Sequence, residues 1–156
     1  MVASLHPSTD LVAAEWIRTI PGLTADGVGN QLPADETTWA INGYVVVPVT
    51  VGGTPHSTTP LRRPVVQVEC WADNLSSDKI PWQKAAQLAE QIRFGTYDRA
   101  TFGRALAIVN GPVSYGIATV KSALMLTEPH RIWSDAGDYG GYGFDLRLDW
   151  TTPETV

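Results

Sequence analysis

Leu11, Val12, Trp16, Ile17 and Ile20 recur at helical spacing, and Pro21-Gly22 interrupts the pattern. Ser8, Thr9 and Asp10 stand just ahead with oxygens suited to an N-terminus, so the pattern predicts an amphipathic helix over 9–20. A second stripe, Trp82, Ala85, Leu88, Ala89 and Ile92, predicts another helix. The capping residues of 73–78 precede it, Pro81 fits its first turn, and Gly95 is a natural stop. Its small Ala residues would let it lie close to a sheet.

The remaining apolar segments follow a strand period. The clearest places Tyr142, Phe144, Leu146, Leu148 and Trp150 in alternation with Gly143, Asp145, Arg147 and Asp149, which gives one core face and one wet face. Val45 to Val51 belongs to a β-branched strand over 39–51, in which Pro48 lacks the N–H for a ladder bond and marks an edge or bulge. A turn-rich polar connection over 52–63 leads to Pro64 and a strand over 65–72. Short strands are expected at 28–32 and at 105–109 and, after Asn110-Gly111-Pro112, a longer one at 117–128. Without an internal repeat, the pattern predicts one α+β domain over 1–156: a mostly antiparallel sheet, two helices packed on one face, and an extended β-hairpin arm from 39–51, 52–63 and 65–72.

A chain of 156 residues can bury about 70% of the surface its unfolded form exposes, enough for a real core. No apolar run approaches the roughly 20 residues that cross a bilayer, and Met1 to Pro7 has no basic or apolar leader pattern, so a soluble chain that stays where it is made is expected. The single cysteine, Cys70, cannot form an intramolecular disulfide, which fits a reducing compartment. A net charge of −5 argues against a protein that grips nucleic acid through many phosphates. Six Trp lean toward association, because large aromatics concentrate in cores and interface centres.

Candidate chemistry is sparse. No Gly-x-Ser-x-Gly elbow occurs, and Cys70, between Glu69 and Trp71 in a strand, reads as a small buried hydrophobe. His6, His56 and His130 lack zinc spacing, and 135–138 lacks the regular ligands of a calcium loop. The glycine run at 137–143 precedes a strand, whereas a phosphate cradle would open a helix. Asp145 and Asp149 form a possible carboxylate pair, but with Arg147 between them they read better as a charge-mixed strand face. No enzyme activity, cofactor or metal is expected. Two loops beside edge-like strands stand out as docking arms: one carries His56, Thr58, Thr59, Arg62 and Arg63, the other Arg131, Trp133, Asp138 and Tyr139.

The strand Val65-Val66-Gln67-Val68-Glu69-Cys70-Trp71-Ala72, running into Lys84-Ala85-Ala86-Gln87-Leu88-Ala89-Glu90-Gln91-Ile92, resembles the tail terminator proteins of siphovirus-type actinobacteriophages, which join a Trp-ended strand to such a helix. The helix from Leu11 to Pro21, the hairpin and the strand ending at Trp150 are similar too, so the resemblance spans nearly the whole chain. It implies a structural virion protein of the tail or neck, assembled in the host cytoplasm as a ring, typically of six copies. Its implied partners are the major tail tube protein and the head-side connector or stopper, with DNA sliding through an acidic channel. Another neck protein is the nearest alternative. A carbohydrate-binding module using Trp39, Trp133, Tyr139 or Tyr142, or a hydrolase at Cys70 or Asp145/Asp149, would belong to a different class.

Overall fold

The alternating C-terminal segment forms β8 (Gly140–Thr151), and the Trp-ended strand forms β4 (Arg62–Ala72). They pair antiparallel from Arg62–Trp150 to Ala72–Gly140 and make the centre of the sheet. The computed structural model describes residues 6–55, 60–134 and 138–153. On one side of the central pair lie β2 (Tyr44–Val46) and then β1 (Val28–Gly29). On the other lie β6 (Val113–Met125) and then β5 (Leu106–Asn110), giving the order β1-β2-β4-β8-β6-β5. β3 (Thr50–Pro55) continues the line of β2 along β4, and β7 (His130–Ile132) continues that of β6 along β8. Every pairing is antiparallel except β1 with β2.

The two helices, α1 (Thr9–Arg18) and α2 (Trp82–Gly95), cover one face. Val12, Trp16 and Ile17 from α1 and Leu88, Ala89 and Ile92 from α2 join Val66, Val68 and Cys70 of β4 and Phe144, Leu146, Leu148 and Trp150 of β8 in one core. Each fully buried aliphatic or aromatic side chain of this kind stabilises the fold by about 1.5–3 kcal/mol relative to exposure. A helix as short as α1 is marginal alone, so this packing holds it. Ala85 and Ala89 are fully buried and bring α2 close to β4 and β8, as their size suggests. The expected α+β architecture, with a mostly antiparallel sheet and both helices on one face, is the one observed.

Several local expectations need correction. The 39–51 segment is two strands, since Trp39 and Ala40 lie in a turn and the chain leaves regular pairing at 47–49, around Pro48. The described part of the 52–63 connection is mostly strand: β3 runs to Pro55 and β4 begins at Arg62, ahead of Pro64. No free arm is seen among the described residues here, because β4 stays paired with β8 back to Arg62–Trp150; residues 56–59 lie outside them. The hairpin that does run past the sheet centre is β5–β6, since β6 joins β8 only from Thr119 onward. Ser8 and Pro81 occupy the N-cap positions of α1 and α2 without a side-chain capping bond, and Pro81 thus stands one position before the helix.

Candidate interaction surfaces

Trp82 opens α2 beside β7. The guanidinium of Arg131 lies 4.7 Å from the centroid of its ring, and Trp133 meets it edge-on at 5.0 Å and 78°. Trp133 is 72% exposed, so an Arg-Trp-Trp ladder with Trp82 at its centre lies open to a partner. Rings and cations in this arrangement attract through the ring quadrupole, and Trp and Arg are the residue types that dominate binding hot spots.

A second group gathers at the end of β4. Tyr139 donates its hydroxyl to Glu36 Oε1 and stands edge-on to Trp39 at 5.2 Å. Trp39, Tyr44, Val46 and Trp71 form a small apolar cluster on the sheet face away from the helices. Gly141 makes that cluster possible: a Cβ there would come within 2.5 Å of the Trp71 ring and 2.7 Å of Ile132. The glycine run read from the sequence therefore serves close packing. Beside it, Glu36, Asp73, Asp78, Asp138 and Tyr139 line a polar cleft of about 500 Å³. Burial holds the Asp73 carboxyl above its usual range, with Glu36 and Asp138 adding to the rise. The bond to Glu36, then burial, pushes the Tyr139 phenol up to about 12.

The third group lies at the other end of β4. Arg62 sits 5.0 Å from the centroid of the Trp150 ring, and Arg63 Nε lies 3.7 Å from Asp149 Oδ1. Ten residue steps along an extended strand, about 33 Å, separate this end from the acidic cleft. Of the expected interface residues, the structure therefore joins Arg131 with Trp133 and Asp138 with Tyr139, and holds Arg62 and Arg63 apart from both. Arg62, Arg63 and Arg131 stand on paired strands rather than on loops, because β8 provides a neighbour for each of those segments. His56, Thr58 and Thr59 lie outside the described residues. Sequence reasoning placed Trp82 on a core stripe and Asp73 in a capping turn, and it did not single out Glu36. The alternation of polar and apolar residues carries no signal that these three meet the loop residues.

Catalytic groupings do not assemble among the described residues. Cys70 is fully buried, and burial pushes its thiol far above the reactive range. Asp149 receives the Ser122 hydroxyl at 2.9 Å and stands near the cations of Arg63 and Arg147, as a charge-mixed strand face does. Three His, Cys, Asp or Glu side chains able to share a metal do not meet among the described residues. Trp39 is only 3% exposed, which removes it as a stacking platform for a sugar ring.

No family model and no curated protein matches the chain. Among solved structures, it shares its fold with a chain from the virion of a native gene transfer agent particle, at a TM-score of 0.55 and 10% identity, over 93% of this chain and 100% of that one.

Proposed function

We propose that this chain is a structural subunit of a phage-like virion, and within it the tail terminator: a ring of six that caps the tail tube, ends its polymerisation and joins the head-side connector. The observation that carries the reading is the fold shared end to end with a chain of a gene transfer agent virion, since the match leaves almost no part of either chain unaccounted for. The resemblance of the strand over 65–72 and the helix after it to tail terminators supports the finer assignment. A net charge of −5 suits a ring through which DNA moves without sticking. Sheet margins open among the described residues and the Arg131–Trp82–Trp133 ladder offer contacts of the kind a heterologous ring requires.

The test is tube assembly. Purified tail tube subunit from the same genome should polymerise into tubes of shortened length when this chain is added, with the chain found at one tube end only. Tubes of unchanged length together with binding to the isolated connector would favour a different neck protein. Indifference to both would remove the virion reading.

A further inference from the structure

Strand edges that stay free of partners usually carry a charge, a proline or very few residues. Several outer edges of this sheet follow that rule. β1 has two residues, and its Val28 carbonyl accepts the Arg18 guanidinium at 2.8 Å. β7 has three and carries Arg131. The outer side of β6 beyond its pairing with β5 carries Lys121. β3 and β5 depart from the rule. With six and five residues they hold no charged side chain, and their one proline, Pro55, is the last residue of β3. Each has a bulge, between Thr50 and Gly52 and between Ala107 and Val109, which twists the edge without charging it. Their outer backbone groups have no partner among the described residues, since β3 pairs only with β4 and β5 only with β6.

These two edges lie on opposite sides of the sheet and expose β-branched surface: Val51 is 50% exposed and Val109 54%. The nearest cations do not occupy them. Arg62 and Arg63 of β4 lie against Trp150 and Asp149 of β8, and Arg104 stands before β5. β3 ends on the rung formed by Pro55, Arg62, Trp150 and Val120, and β5 begins just past that rung, at Leu106 opposite Ala118.

We infer that the outer edge of β5 in one copy pairs with the outer edge of β3 in the next, a head-to-tail contact that continues the sheet from copy to copy. The contact rests on the ring reading above and names the strands that would join such a ring. Two copies of one edge would pair about a two-fold axis and stop at a dimer. Two different edges leave every copy one to give and one to receive, which generates a closed ring or a filament. In strand addition the main-chain hydrogen bonds supply the affinity and the side chains beside the edge the specificity. Because β5 starts where β3 ends, the pairing shifts each copy along the strands relative to the last, and a stagger of this kind tilts the strands of a closed sheet.

Cross-linking tests which edges meet. Val51→Cys and Val109→Cys place one thiol beside each edge, and the native Cys70 is fully buried and does not compete. Opposite and diagonal residues on paired strands lie about 5–8 Å apart, so a short bis-maleimide bridges either register. An equal mixture of the two variants should give a cross-linked dimer, and neither variant alone should. A dimer from either variant alone, or none from the mixture while the wild type assembles, would overturn the contact and leave the ring reading standing. Val51→Lys and Val109→Lys put a charge on each edge and keep the contact testable if a cysteine variant misfolds. Each should weaken association at least tenfold in sedimentation velocity, with circular dichroism confirming the fold; unchanged association in both would overturn the contact. A wild-type chain that stays monomeric, alone and with tube subunit, would overturn the ring reading itself and the contact with it.

Discussion

Trp16 and Thr101, 85 residues apart, are joined by a hydrogen bond of 3.1 Å from the indole Nε1 to the Thr101 carbonyl. The same indole stacks on Phe102 at 5.7 Å, and the Thr101 hydroxyl donates toward the carbonyls of Gly95 and Asp98. One buried side chain of α1 thus ties down the connection between α2 and β5, an outermost strand of the sheet. Trp16→Phe removes the donor and shrinks the ring. Unpaired buried acceptors cost about 1–3 kcal/mol, and lost core volume adds to that. Urea unfolding should show a loss of about 2 kcal/mol or more; a change within 0.5 kcal/mol, the range of ordinary surface substitutions, would contradict the role given to this bond.

Gly95 ends α2 for a packing reason. It is absent from the positive-φ glycines, and a Cβ there would come within 2.6 Å of Ile20 Cδ1. Gly→Ala in a helix normally stabilises by about 0.5–1 kcal/mol. Gly95→Ala should instead destabilise, by about 1–3 kcal/mol, as overpacking does, and Ile20→Val in the same chain should recover part of the loss. Thermal unfolding of the single and double variants would show whether the sign is as expected.

Tyr139 gives the fold an alkaline sensitivity. Its phenol is pushed from 10.0 to about 12, first by the bond to Glu36 and then by burial. As pH rises past 10 the unfolded chain releases this proton before the folded one does, so the contribution is complete below pH 10 and is lost as pH rises toward 12. Tyr139→Phe should make the fall of the urea midpoint across that window shallower. Tyr44 and Cys70, both raised by burial, would leave a residual slope. Identical slopes in the two proteins would contradict the assignment, and a phenolate absorbance titration should show the late step missing from the variant.

Trp133 separates stability from association. Its ring is 72% exposed, so Trp133→Ala should change unfolding stability by no more than about 1 kcal/mol, the scale of one aromatic or cation–π contact. If the ladder with Trp82 and Arg131 anchors a partner, binding should fall at least tenfold in the same variant, as truncated hot spots do. Equal binding by the two proteins, measured by light scattering or by tube capping, would remove the ladder from the interface.

Periodicity made the helices and the long strands legible. The α2 stripe from Ala85 to Ile92 and the β8 alternation from Phe144 to Trp150 face the core as read, because burial on one face imposes the spacing directly. Strand neighbours were less legible. The segment around Pro48 changes course between two pairings, and β4 extends back to Arg62 because β8 supplies a partner from far along the chain. The candidate surfaces were half visible. Arg131, Trp133 and Tyr139 stood out by residue type, while Trp82 and Glu36 reach them only through tertiary contacts, which no local pattern encodes. The glycine run at 137–143 was visible in the sequence, yet the ring that requires Gly141, that of Trp71, lies on another strand.

Native mass measurement with negative-stain imaging, on the purified chain alone and mixed with tail tube subunit, tests the central claim most directly. A closed ring whose mass is an integer multiple of 16.9 kDa, seen free or seated on one end of each tube, is the expected result. A persistent 16.9 kDa species that leaves tube length unchanged would contradict it.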